Sequence, residues 1–550
     1  MRQEIITADE MKAIDKNAVG LGMHPLQLME NAGAAVADVI SNHKRYSDSS
    51  VLFFAGLGNN GGDAFVAARH LANAQKSVIL FLLGRETQIK TPESQINFKL
   101  MKQTNHVTVY EIQSESELSD AYGLFKENNL MIVDGIFGTG FSGKPKGLEK
   151  AAVQLINSEK EARQLPVLAI DIPSGMPPAG FSKDMNDLSD DTSDDLIIKA
   201  DATITFHKMK TFLENKIAEK YAGEIFVRTI GIPENAGKFI GAGDVSLLYK
   251  RTVDSKKGDS GKVLVIAGGP YSGAPALAGM GALRAGSDIV TIATPKSIYK
   301  AVSSFAPEFI VRKLSSDVFS EADVPLLIEL IQSHDVVVLG PGFGRVLESA
   351  QAAAQLVPHF KKAVIDADAL VPEIFEAIVQ NKNSAEIIIT PHYHELVRTA
   401  AYFEKELPEK RKALNSDELE AALLEIGEKL GAVVLLKGRE DMVAGGGEVR
   451  YSSSGNAGMS VGGTGDVLAG VVGSLLAKNS AVAAAGCGAF ICGSAGDLAY
   501  ASVGDSLLPT DVIHQIPSVF SSNFSSDNSV MKKTGKQNKN KSGKKKSLFK

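Results

Sequence analysis

Apolar residues recur at three- and four-residue steps through residues 1–45: Met11 and Ile14, then Leu26, Leu28, Met29, Ala32, Ala35 and Val36. That is the period of a helix with one buried face. Beyond it come short continuous apolar runs separated by helical stretches: VLFFAG at 51–56, SVILFLLG at 77–84, MIVDG at 131–135 and PVLAIDIP at 166–173. Strands apolar on both faces and closed by Gly, Asp or Pro suit a parallel sheet covered by helices on either side. ADATITFH (200–207) and GEIFVRTIGI (223–232) are expected to complete that sheet. A second alternation starts near Gly261, with KVLVIAGG, SDIVTIATP, DVVVLGPG, KAVIDADAL, EIIITPH and AVVLLKG. It predicts another mostly parallel α/β unit, with the boundary near 235–250. The two halves share no motifs, so they do not read as a duplication.

Two polar stretches interrupt this pattern. SKDMNDLSDDTSDD, ending at Asp195, is acidic and aperiodic and reads as a mobile surface loop. From Pro517 onward Ser, Asn and Lys dominate, so packed chain is expected to end at 516 and 517–550 to form a disordered Lys-rich tail. The last twenty residues carry nine lysines and no acid, so the body is more acidic than the net charge of -6 shows. An acidic body argues against a specific nucleic-acid-binding face.

The remaining composition mostly excludes. With 550 residues, 44% apolar and 22% charged, the chain is neither disordered throughout, nor collagen, nor coiled coil. We find no uninterrupted apolar run of bilayer-spanning length, and MRQEIITADEMKAIDK lacks the apolar stretch of a secretory signal. Cys487 and Cys492 cannot build a disulfide framework or a four-ligand zinc site. They lie in an Ala/Gly-rich apolar stretch, which predicts buried thiols. A reducing, cytoplasmic setting without a membrane partner is expected.

Glycine-rich turns supply the first candidate chemistry. Gly56-Leu-Gly58-Asn59-Asn60-Gly61 follows a strand and precedes a helix, where backbone N–H groups can approach a pyrophosphate. The acidic residue that would hold a ribose about 20 residues on is not clearly present, so a tight turn and a phosphate site both remain open. Residues 138–144 spell GxxxxGK, but Pro145 stands where a nucleotide-hydrolysing loop needs Ser or Thr for magnesium. Asp134 and Asp171 each close a predicted strand, and ligands of such sheets bind beyond the carboxyl ends of strands.

NNGGDA at 59–64, DGIFGTGFSGK at 134–144, DIPSG at 171–175 and TFHKMK at 205–210, in this order, resemble the YjeF N-terminal domain, the NAD(P)HX epimerase family. The resemblance implies a Rossmann-like α/β/α sandwich over 1–235 that inverts the C6 hydroxyl of the damaged dinucleotides NADHX and NADPHX. It implies that Asn59, Asn60, Gly61, Gly62, Asp63, Gly138, Thr139, Gly140, Phe141, Ser142, Gly143 and Lys144 hold that substrate. Asp171 becomes the candidate acid/base, since loss of the hydroxyl or ring opening can each be assisted by a carboxylate. Asn60, Asp134 and Ser174 are implied to hold K+, a weakly polarising cation suited to neutral and carboxylate oxygens.

Near the other end, Gly462-Gly463-Thr464-Gly465-Asp466 precedes a long helix of small residues. Glycines at a helix start gather N–H donors into an anion hole, and an aspartate there can deprotonate a hydroxyl attacking a phosphoryl group. The motif resembles the ribokinase-like superfamily. With KKGDSGKVLVIAGG (256–269), YSGAPALAG (271–279), GPGFG (340–344), DADAL (366–370), TPHYHE (390–395) and LLKG (435–438), it resembles the YjeF C-terminal domain, the ADP- or ATP-dependent NAD(P)HX dehydratase. That implies a ribokinase-like α/β domain over 236–516 in which Ala276, Gly342, His392 and Asp466 contact the hydrated dinucleotide. Lys437, Gly438, Arg439, Glu440, Asp441 and Gly465 would border the adenine nucleotide, with Mg2+ and a homo-oligomeric assembly also implied. Asp441 stands where many relatives carry threonine, and Cys492 near where many carry histidine. The alternatives are a vitamin or sugar kinase fused to a dinucleotide-binding module, a dehydrogenase using GLGNNG, and a scaffold without turnover.

Overall fold

A computed structural model describes residues 5–43, 49–125, 129–141, 143–177, 196–214, 216–382 and 385–524. The chain divides into two compact units, Met1–Ala236 and Gly237–Lys550. The acidic stretch at 182–195, Ser142 and residues 525–550 lie outside the described residues.

In the first unit, strand β1 (Ile5–Ile6) leads into helix Ala8–Gly20, where Thr7 and Glu10 form a reciprocal capping box. The strands β2 (Ser50–Ala55), β3 (Val78–Leu83), β4 (Val107–Ile112), β5 (Leu130–Gly135), β6 (Val167–Ile170) and β7 (Ala202–Phe206) follow. β8 (Met209–Lys210) pairs with β1, and β9 (Glu224–Arg228) closes the series. Seven strands form one parallel sheet in the order β4-β3-β2-β5-β6-β7-β9. Every β3 residue is buried, as are Val51 to Ala55 of β2, which is why these runs read as unbroken apolar segments. The chain reverses direction across the sheet between β2 and β5. A crevice therefore opens beyond the carboxyl ends of those two strands.

The second unit repeats the logic with β10 (Lys262–Ile266), β11 (Ile289–Thr294), β12 (Ile310–Lys313), β13 (Val336–Leu339), β14 (Lys362–Ile365), β15 (Glu386–Ile389) and β16 (Val433–Leu436). The antiparallel strands β17 (Asp441–Gly445) and β18 (Glu448–Ser452) extend one edge. The order is β12-β11-β10-β13-β14-β15-β16-β17-β18, with its own reversal between β10 and β13. Two-domain α/β architecture with mostly parallel sheets is thus observed.

Two expectations need correction. The packed chain does not end at 516: helix Pro509–Phe524 runs straight through Pro517. Val512, Ile513, Ile516 and Val519 are each at most 2% exposed and form a stripe at helical spacing. That burial outweighs the lost N–H of Pro517, whereas exposed Ser518, Ser521 and Ser522 gave the segment its disordered look. The second concerns bilayer-spanning length. Helix Ala481–Val503 is long and apolar enough to cross a membrane by length and composition, but 67% of its most apolar stretch is buried inside the unit. Its glycines and alanines pack as core, and Cys487 and Cys492 are free and buried there.

Candidate active sites

In the first unit the two glycine turns meet at the β2/β5 crevice. Gly61 is required by close backbone approach, since a Cβ there would stand 1.9 Å from the Gly56 carbonyl oxygen. Gly138 sits between Asn60 and Asp171: a Cβ on it would lie 3.4 Å from the Asn60 side chain and 3.2 Å from Asp171 Oδ2. Asn59 Oδ1 accepts from the Thr91 hydroxyl at 2.8 Å, and the Phe137 and Phe141 rings stack with centroids 3.8 Å apart.

Beneath this surface lies a polar knot. Asp134 is fully buried; its carboxylate accepts the Ser174 hydroxyl at 2.6 Å, the Ser174 N–H at 2.7 Å and the Ile136 N–H at 3.1 Å. Burial pushes the Asp134 carboxyl up to about 6, against the pull of those donors. Ser174 Oγ accepts from the Phe137 N–H at 2.9 Å, and the Asn60 amide donates to the Phe137 carbonyl at 3.0 Å. Asn60 Oδ1, by contrast, is buried with no hydrogen-bond partner among the described residues. A buried amide oxygen without a donor, joined through Phe137 and Ser174 to a buried carboxylate, is an acceptor set that fits a cation.

Asp171 follows β6 with φ at +65°, a left-handed backbone that a non-glycine residue adopts at a cost. Its Oδ2 accepts the Thr139 N–H at 3.2 Å, and Lys210 Nζ lies 3.6 Å from its Oδ1. Asp63 and Asp15 share this field, and burial raises both: Asp15 to about 7 and Asp63 well above its ordinary range. The reading from sequence named Asp63 and missed Asp15 and Lys210. Lys210 was in plain view as the end of TFHKMK, whereas nothing local marks Asp15.

In the second unit a cavity of about 590 Å³ opens at the β10/β13 reversal, lined by Pro270 to Ala274, Leu277, Gly342, Asp368, Gly462, Gly463 and Asp466. Helix Thr464–Leu476 points its N-terminus here, with Gly463 as N-cap at φ +106°. Asp466 in its first turn is raised to about 7, first by burial and then by the Asp366 charge, with Lys437 opposing. Lys437 Nζ bonds Asp366 Oδ1 at 2.7 Å, which also accepts the Thr390 hydroxyl at 2.7 Å. A Cβ on Gly465 would sit 3.5 Å from the same ammonium. Ala276, 5% exposed, is buried in helix Gly273–Arg284 outside the cavity lining.

His392 caps helix Tyr393–Tyr402, its Nδ1 accepting the Glu395 N–H at 3.2 Å, and pairs as a bridge with Lys437. Burial lowers its pKa and favours the neutral ring. Asp441 Oδ1 accepts the Gly438 N–H at 2.9 Å and is pushed up to about 6 by burial. Arg439 is exposed and Glu440 half-buried beside it. Asp366 and Asp368 were not singled out from sequence, although DADAL contained both.

Each unit therefore sets a carboxylate at the mouth of a reversed parallel sheet, over glycine-rich turns, which defines a two-site enzyme acting on nucleotides. The NAD(P)H-hydrate dehydratase family model matches residues 263–518, and that of the YjeF-related protein N-terminus matches 25–212. The bifunctional NAD(P)H-hydrate repair enzyme of Archaeoglobus fulgidus is 38% identical over 94% of this chain and 98% of its own length. Those of Methanothermobacter thermautotrophicus and Methanocaldococcus jannaschii are 36% and 34% identical over 94% of this chain, covering 95% and 94% of theirs. The chain belongs to the family of bifunctional NAD(P)H-hydrate repair enzymes.

Proposed function

We propose that the first unit interconverts the R and S forms of NADHX and NADPHX, and that the second dehydrates the S form to NADH or NADPH at the expense of ADP or ATP. Asp466 carries this reading: a half-neutral carboxyl at a helix N-terminus, facing a cavity large enough for reacting groups. As base it takes the C6 hydroxyl proton while that oxygen attacks the terminal phosphoryl of the nucleotide, and AMP or ADP leaves with the bridging oxygen. The phosphorylated carbon then expels phosphate with help from the ring nitrogen, and loss of the C5 proton restores the dihydronicotinamide. Amide N–H groups at the start of helix Thr464–Leu476 stabilise the transferred charge. Lys437, Gly438, Arg439, Glu440, Asp441 and Gly465 border the nucleotide, and Asp368, which lines the same cavity, would offer a carboxylate to Mg2+, whose charge would offset that of the phosphates.

In the first unit Asp171 exchanges a proton with the C6 substituent, while Asn60, Asp63, Gly138 to Phe141 and Lys144 hold the dinucleotide. Asn60 Oδ1, Asp134 and Ser174 would hold K+, which would supply fixed positive charge to the site. Two buried free thiols suit a reducing, cytoplasmic setting.

The test mixes the protein with an R/S NADHX mixture, ADP or ATP, and magnesium, and follows reduced-nicotinamide absorbance. Full recovery is expected, falling to the S fraction when LiCl replaces KCl. A stable phosphorylated vitamin or sugar in place of NADH would overturn the dehydratase assignment. Recovery halting at the S fraction in KCl would overturn the epimerase assignment.

A further inference from the structure

The segment Thr205–Lys210 is left unused by the reading above, yet it ends in a wholly buried cation. The Lys210 side chain is 1% exposed. A lysine cannot sit there without partners. Among the described residues, its Nζ donates to the Phe206 carbonyl at 2.6 Å and lies 3.6 Å from Asp171 Oδ1. The Asp171 side chain is 14% exposed, so it borders both the ammonium and the open crevice. Two acids face this cation, Asp171 from the turn after β6 and Asp15 from helix Ala8–Gly20, and Asp63 from helix Asn59–Asn73 interacts with both of those acids. Burial and the Asp171 charge keep Asp15 and Asp63 up, so they compete poorly for the ammonium. Lys210 is itself fixed by the β1–β8 pair, in which Ile6 is its register partner.

We propose that Lys210 is the positioning residue of the first site: anchored on the Phe206 carbonyl, its ammonium holds the left-handed Asp171 carboxylate against the Thr139 N–H, aimed at the C6 substituent of bound NAD(P)HX. This rests on the epimerase reading of that unit. Without the ammonium, Asp171 keeps Asp15 and Asp63 as neighbours and loses the opposite charge that holds its carboxylate in place.

The test measures R-to-S interconversion by the full chain against pH. Lys210→Met should lower kcat about tenfold or more with KM little changed, and should move the acid limb of the rate up by about one pH unit or more. Lys210→Arg should restore most of the limb position. The double variant Lys210→Met/Asp15→Asn removes one acid with the cation; it guards against misfolding and should return the limb part of the way. A Lys210→Met or double variant that melts like the parent and keeps its kcat and acid limb would overturn the proposal, as would a rate loss with an unmoved limb. A parent chain that does not interconvert the two forms at all would overturn the epimerase reading itself.

Discussion

Asp466, the proposed base of the second site, titrates near neutrality. With its carboxyl raised to about 7, it is an effective base only above that value, so the dehydration rate should fall as pH drops through 7. Asp466→Asn should reduce NADH recovery at least about 100-fold, within the range general-base catalysis contributes. The same shift sets a stability sign. A folded-state value above the unfolded 3.8 means the unfolded chain binds fewer protons between those limits, so this group subtracts stability as pH rises from 3.8 to about 7. Asp466→Asn should therefore raise the melting temperature at pH 8 and leave it little changed at pH 4. Thermal scans at both values check this; equal shifts at both would mean that burial of the charge is not the cause.

Elements hold these residues to their task through contacts that glycine alone permits. Helices Gly273–Arg284 and Thr464–Leu476 carry opposite walls of the second cavity, and a Cβ on Gly470 would stand 1.9 Å from the Ala278 carbonyl oxygen. An exposed helix would gain from alanine there; here the helices must part. Gly470→Ala should cost about 1–3 kcal/mol and slow dehydration while leaving interconversion of R and S forms intact, read by a lowered melting temperature and the two separate rates. At this scale the sequence was most legible. Runs such as VLFFAG and KVLVIAGG announce strands buried on both faces because no partner is needed to recognise them. The two reversals, by contrast, depend on which strands neighbour which, and that lies in pairing rather than in any one segment. Pro517 misled for a related reason: composition was averaged over a segment whose one apolar stripe decided its fate. The site was legible where it was local, as in GGTGD and NNGGDA. Lys210 against Asp171 and Lys437 against Asp366 were not, because residues 39 and 71 positions apart are joined only by the fold.

At the scale of the whole molecule, each unit builds its site from its own residues. The Asp171 turn draws on Thr139, Lys210, Asp15 and Asp63 of the first unit, and Asp466 on Asp366, Asp368 and Lys437 of the second. If the proposed reactions run at these two sites, the S form passes between them as free substrate, and either site should work with the other disabled. Asp171→Asn in the full chain should slow interconversion about 100-fold or more, so recovery stops at the S fraction. Asp466→Asn should recover NADH at least about 100-fold more slowly while still converting R to S. Mixing the two inactive chains should restore complete recovery from an R/S mixture, at about half the parent rate per chain, because each supplies the site the other lacks. If the mixture instead stalls at the S fraction while both variants stay folded, the product of one site reaches the other only within a single chain, and the independence of the two sites is wrong.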